Sequence, residues 1–160
     1  MTSALAMSAE RTWTIRHARP EDGRPVRRFV FDILNEYHVA ADPDDSDADV
    51  MAFGAAADGV VQLVAEVDGE PIGSAILTPY SDTEIKLSKL FLKPEFRGIG
   101  LGSDMLARSE AEAKERGYRR ISLGTRALYV EAVRLYERRG WSRGPDLPPP
   151  GPDRYYYRDF

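Results

Sequence analysis

Between residues 97 and 102 the chain reads Arg97-Gly98-Ile99-Gly100-Leu101-Gly102, with Ser103 next. Glycine lets backbone N–H groups approach a ligand closely and adopts conformations that other residues resist. Leu101, Met105, Leu106, Ser109 and Ala113 then fall on one helical face. A helix starting inside the glycine run would turn unpaired N–H donors and the positive end of its dipole toward the same space. The chemistry this predicts is an anion cradle suited to a diphosphate.

Three kinds of phosphate turn compete for that description. A nucleoside-triphosphate loop needs Gly-x-x-x-x-Gly-Lys-Ser/Thr, a string the chain lacks. A dinucleotide turn needs Gly-x-Gly-x-x-Gly directly after a strand, with an acid ending the next strand. Here Ser103 holds the third glycine position, and the next strand ends Leu123-Gly124-Thr125. The third is Arg-x-x-Gly-x-Gly, the diphosphate turn of coenzyme A, which Arg97, Gly100 and Gly102 satisfy. Taken alone, so short a pattern reads equally as a glycine-rich connector; its place between a strand and a helix favours the ligand.

The elements that must position this turn follow from periodicity. Residues 12–18 alternate as a strand, and Val26, Phe29, Val30, Ile33, Leu34 and Tyr37 predict a helix over about 20–38. An acidic loop follows, then a short helix over 47–57 with Asp47 as N-cap. Strands 60–67 and 71–78 form a hairpin through Asp68-Gly69. The long strand 84–93 carries contiguous Leu90, Phe91 and Leu92, which predicts burial on both faces. After the glycine turn come a helix stopped by Gly117, a strand at 119–125, a helix at 129–139 stopped by Gly140, and a closing strand at 154–160. The expected fold class is α/β: a mixed, mostly antiparallel central sheet flanked by helices on both faces, in one domain over 12–160. Residues 1–11 read as a disordered extension, and Met7 as an alternative start.

Composition narrows the classes further. With 160 residues, 42% hydrophobic and 30% charged, the chain has the makeup of a soluble globular domain. It has no cysteine, which excludes disulfides, thiolate metal sites and a cysteine nucleophile. His17 and His38 are too few and too far apart to suggest a zinc site, so no metal is expected. The net charge of −4 argues against a nucleic-acid partner. No apolar run approaches a membrane span, and the N-terminus lacks a secretory signal, so the expected location is cytoplasmic.

The stretch from Lys86 through Arg97-Gly98-Ile99-Gly100-Leu101-Gly102 to Gly117-Tyr118-Arg119-Arg120-Ile121, continued by Ala132-Val133-Arg134-Leu135-Tyr136-Glu137-Arg138-Arg139-Gly140-Trp141, resembles the Gcn5-related N-acetyltransferase (GNAT) superfamily. The resemblance implies that acetyl-CoA is the co-substrate. Backbone amides from Gly98 through Ile99, Gly100, Leu101 and Gly102 to Ser103 would hold its diphosphate, and Leu90, Phe91 and Leu92 its pantetheine and acyl portion. Tyr136 matches the tyrosine that protonates the departing thiolate; a phenol with an ordinary pKa of about 10 suits that task. The family often has asparagine at the cofactor-orienting position seven residues before this tyrosine, where this chain has Tyr129.

The implied activity is direct transfer of acetyl to a small-molecule amine. A non-catalytic acyl-CoA-binding module and a protein N-acetyltransferase are the alternatives, and a homodimer is compatible with the family. An alkylamine must lose a proton before attack, which calls for a carboxylate base. Many relatives carry glutamate at the position of Lys86; Glu84, two residues earlier and on the same strand face, is the candidate here, with Glu66 second. The run Asp42, Asp44, Asp45, Asp47 and Asp49 would rim the acceptor cleft, and Tyr155, Tyr156 and Tyr157 would wall it or pack the core.

Overall fold

Side-chain alternation fixes the first strands. In the computed structural model, which describes residues 12–160, β1 (Thr14–His17) pairs antiparallel with β2 (Val61–Val67), and β2 with β3 (Glu70–Pro79). The expected 1–11 extension lies outside the described residues. Val61, Leu63, Ala65 and Val67 of β2 point into one buried layer while Val64 points into the other, so both faces of the sheet are covered. The hairpin turn falls at Asp68 and Gly69, both at positive φ (+52° and +80°).

Helix α1 (Gly23–Glu36) follows a 3₁₀ turn at Pro20–Asp22. Val26, Phe29, Val30, Ile33 and Leu34 form its apolar stripe, which packs with Val64, Ile76 and Phe53. The predicted 47–57 helix is only the single turn α2 (Ala48–Met51). Asp47 does not cap it through its side chain; the carboxylate instead accepts the Asp42 N–H at 2.7 Å and closes the acidic loop on itself.

Helices α3 (Leu101–Glu115) and α4 (Val130–Arg138) cover the opposite face. Among the described residues the sheet has seven strands in the order β1-β2-β3-β4-β5-β7-β6, where β4 is Glu84–Leu92, β5 Arg120–Thr125, β6 Ser142–Arg143 and β7 Arg154–Asp159. Of these strands, only β4 and β5 pair in parallel. The mixed, mostly antiparallel sheet between helical layers is the expected class.

One buried ion pair ties the first strand to the first helix. Arg16 on β1 donates to Asp22 at 2.7 and 3.0 Å and to Glu66 at 2.8 Å, and Asp22 is 2% exposed. Burial pushes the Asp22 pKa up, but hydrogen bonds from Arg16 and the Arg19 amide outweigh it, so the net shift is downward. A lowered folded-state pKa gives stability that is present above the unfolded value near 4 and lost as pH falls through the folded value. Asp22→Asn should therefore cost about 3 kcal/mol in denaturant melts at pH 7. The gap between variant and wild type should narrow as the melts are repeated toward pH 2.

Candidate functional site

The cleft begins where two strands part. β4 and β5 pair from Glu84↔Arg120 to Leu87↔Leu123, and beyond that point β4 is held by β3 alone. A bulge sits at the parting: Ser74 pairs with Phe91 but Ile76 with Ser88, which leaves Ala75 facing both Lys89 and Leu90. Lys89 takes φ +53°, and Ser74 Oγ donates to its carbonyl at 2.8 Å.

The extra residue reverses the parity of the strand. Ile85 and Leu87 face the α3/α4 layer before the bulge, and Leu90 and Leu92 face it afterwards, while Phe91 packs with the α1 layer. The contiguous Leu90-Phe91-Leu92 run thus places apolar side chains on both faces, as expected, but their burial is incomplete. All three are half-buried, because they line an open cleft of about 350 Å³.

The glycine turn forms the next wall. Gly98 and Gly100 take φ +74° and +95°, and a Cβ on either would meet nothing within 4 Å, so both turn their open side to free space. Gly100 is the N-cap of α3. Among the described residues, no backbone carbonyl accepts the amides of 98–103; the first helical bond is Asp104 N–H to Gly100 O at 3.1 Å. These free donors at the positive helix end have the arrangement that an anion cradle requires. Gly98, Gly100, Gly102 and Ser103 line the cleft. Leu101 anchors the turn in the core with its side chain fully buried, and the Ile99 side chain is exposed at 42%. Leu101 can therefore meet a ligand here only through its backbone.

The far wall is α4, through Ala132, Leu135 and Arg138, with Tyr129 at its N-cap. Tyr129 meets Tyr37 edge-on at 4.9 Å and Phe91 at 6.0 Å. Burial raises its phenol pKa, and the nearby Asp47 charge adds to the rise.

Tyr136 lies behind this wall. Its ring packs 5.9 Å from Trp141 and 5.7 Å from Tyr156 and is 4% exposed. Burial raises its pKa well above the ordinary value, with no hydrogen bond or charge contributing. No sealed side-chain N or O among the described residues lacks a partner, so the Tyr136 hydroxyl is not sealed off.

Glu84 does not join this group. It lies at the opposite end of β4, six residues or roughly 20 Å of extended chain before Leu90. Its Oε2 accepts from Ser122 Oγ at 2.6 Å and Tyr155 O–H at 3.3 Å, so Lys86 is not its partner, and it borders a separate depression with Arg120 and Asp159. Glu66 is likewise taken, by Arg16 on the edge of the sheet. Of the three tyrosines, Tyr156 is core and donates to Glu137 at 2.8 Å, while Tyr155 and Tyr157 pack on each other away from the cleft.

The carboxylate that reaches β4 near the bulge is Asp49, on α2. It contacts Ser88 Oγ at 3.3 Å and Lys89 Nζ at 3.1 Å, the two residues before Leu90. Lys89 also meets Asp47 at 3.4 Å, so part of the acidic run is neutralised rather than a free rim. Asp49 was marked in the sequence only as the last member of the acidic run, while Lys89, Glu36 and Tyr37 carried no local pattern that marks a site. Ala132 and Leu135 did lie in the motif around Tyr136.

The site thus combines a splayed parallel strand pair with a free glycine turn in an α/β fold. The acetyltransferase (GNAT) family model matches residues 27–141, and the chain belongs to that family. YjgM of Escherichia coli (strain K12), an uncharacterized N-acetyltransferase, is 28% identical over 134 residues, covering 79% of this chain and 80% of YjgM. Among solved structures, a GNAT-family acetyltransferase from Staphylococcus aureus superposes with TM-score 0.81 at 23% identity, over 92% of this chain and 99% of its own. YncA of Salmonella typhimurium, solved with its cofactor acetyl-CoA, gives TM-score 0.70 at 21% identity, over 92% and 94%. The chain is an acyltransferase of this fold.

Proposed function

We propose that the enzyme transfers acetyl from acetyl-CoA directly to the amine of a small molecule. The observation that carries this reading is the row of unpaired amides at Gly98–Ser103 opening onto the gap between β4 and β5. YncA, of the same fold, binds acetyl-CoA.

In this reading the 98–103 amides hold the diphosphate, and the backbone of Leu90 and Leu92 lines the pantetheine and acyl portion. Arg97 and Tyr129 border it. The amine nitrogen attacks the thioester carbon, the C–S bond breaks, and the thiolate takes the Tyr136 hydroxyl proton. Catalysis then rests on holding amine and thioester together and on donors that stabilise the developing oxyanion. The ammonium proton goes through water to Asp49 rather than to Glu84, because Asp49 touches the residues beside Leu90.

Thiol release from acetyl-CoA against a panel of small amines tests the proposal. At least one amine should release coenzyme A at a rate well above hydrolysis. Release with a peptide panel alone would overturn the small-molecule acceptor. For the base, Asp49→Asn should lower kcat by about 100-fold and flatten its acid limb, with Glu84→Gln within about twofold of wild type. The reverse ranking in the pH–rate profiles would return the role to Glu84.

A further inference from the structure

The first turn of α3 is braced by the end of α4. Arg139, the C-cap of α4, donates from Nη1 to Ser103 Oγ at 3.3 Å. Its other two nitrogens grip Glu110: Nη2 donates to Oε1 at 3.1 Å and Nε to Oε2 at 3.4 Å. Glu110 comes two helical turns after Ser103, so both lie along one side of α3. The Glu110 side chain is only 11% exposed and also accepts the Trp141 indole N–H at 2.9 Å. Arg158 of β7 donates to the Arg139 carbonyl at 3.0 Å. The guanidinium is thus held through its fork, and its residue through the backbone.

Arginine only donates, so Ser103 Oγ accepts from it and the serine proton must point elsewhere. Among the described residues that proton is donated to no acceptor. Ser109 shows the ordinary alternative in the same helix: its hydroxyl is spent on the Met105 carbonyl at 2.9 Å, one turn back. Ser103 instead lines the donor cleft, in the same turn as the free amides. We infer that Arg139 is a positioning residue for the donor: by occupying the accepting side of Ser103 Oγ, it aims the hydroxyl as a donor to the diphosphate. This rests on acyl-CoA being the donor. A freely rotating hydroxyl spreads its proton over several directions, whereas one already accepting from a fixed guanidinium has fewer open to it. Lysine cannot take the place of arginine, because a single ammonium on a flexible stem has no planar fork to span Glu110 and Ser103. Glu110 also holds Trp141, and the Tyr136 ring packs 5.9 Å from that indole. One buried carboxylate therefore supports both the glycine turn and the tyrosine.

Arg139→Lys, Ser103→Ala and the double variant test this with two donors, acetyl-CoA and S-acetylpantetheine, which carries the thioester but no diphosphate. The acceptor is any amine that the wild type acetylates, and thermal melts check folding. Each single change should raise the KM for acetyl-CoA about tenfold, with kcat within about twofold. The double variant should match Ser103→Ala within about twofold, because both changes remove the same contact. Turnover of S-acetylpantetheine should stay at its wild-type value. Losses that multiply to about 100-fold in the double variant would mean that Arg139 acts on the donor by itself, and would overturn the inference. So would an equal loss with S-acetylpantetheine, the mark of a merely structural role, or a wild-type KM in Arg139→Lys. Should Arg139→Lys not fold, Glu110→Gln loosens the same fork and takes its place in the cycle. A wild type that uses neither donor would sink the proposed function itself, and this inference with it.

Discussion

Replacing Tyr136 by phenylalanine should cut kcat by about 100-fold or more, while acetyl-CoA still binds within about twofold of wild type. The hydroxyl accepts and donates no hydrogen bond that the fold needs, and burial alone shifts its pKa. The ring, by contrast, is packed between Trp141 and Tyr156, and phenylalanine keeps that packing. Stability should therefore change by about 0.5 kcal/mol or less, which separates a chemical loss from a folding one. The pH dependence sharpens the test. A raised pKa keeps the phenol protonated beyond its ordinary value of about 10, so the acid stays loaded throughout the neutral and mildly alkaline range. Loss of the hydroxyl should thus lower the whole kcat–pH profile without moving a limb below about pH 10. Single-turnover thiol release across pH 6–10, beside calorimetric binding of acetyl-CoA, reads both quantities. A variant with normal turnover would remove Tyr136 from the chemistry and return it to the core.

What the sequence made legible divides by range. The glycine turn is local: Gly98 and Gly100 announce positive φ within a few residues of one another, and the helix periodicity starts immediately after them. Helix α1 was legible for the same reason, since its apolar positions recur at fixed short spacing. The bulge was not. An inserted residue at Lys89 moves the positions facing the α3/α4 layer from Ile85 and Leu87 to Leu90 and Leu92, and Phe91 on the other face fills the run between them, so periodicity leaves the shift ambiguous. That ambiguity also affected the base. Glu84 shares a strand with the cleft residues, but a strand extends rather than gathers, and six residues carry it to the other end of the sheet. The contacts that bring Asp49 to Ser88 and Glu36 to Arg97 span 39 and 61 residues and exist only once α1 and α2 are laid across the sheet. Tyr129 shows the middle case: its position was marked by departure from the family pattern, whereas its partners Tyr37 and Phe91 had to be seen.

The glycine turn can be tested against a built-in control. Gly100 and Gly117 take nearly the same conformation, φ +95° and +86°, and a Cβ at either position would meet nothing within 4 Å. Valine at each therefore meets the same obstacle, a β-branched side chain forced into left-handed backbone, at a cost of about 1–3 kcal/mol. The difference is what lies beside them. Gly117 follows the C-terminal end of α3, remote from the cleft, whereas Gly100 caps its N-terminus on the cleft wall. Relief of the strain at position 100 must rotate the peptides on either side, and these carry the free amides of the cradle. Two charge-assisted hydrogen bonds lost to a diphosphate amount to about 3 kcal/mol or more. Gly100→Val should then weaken acetyl-CoA binding by about 100-fold or more, while Gly117→Val loses similar stability and binds normally. Calorimetry and thermal melts on the two variants read both terms. Equal loss of binding would mean that strain anywhere in α3 disables the site; equal retention would mean that the Gly98–Ser103 amides do not hold the donor.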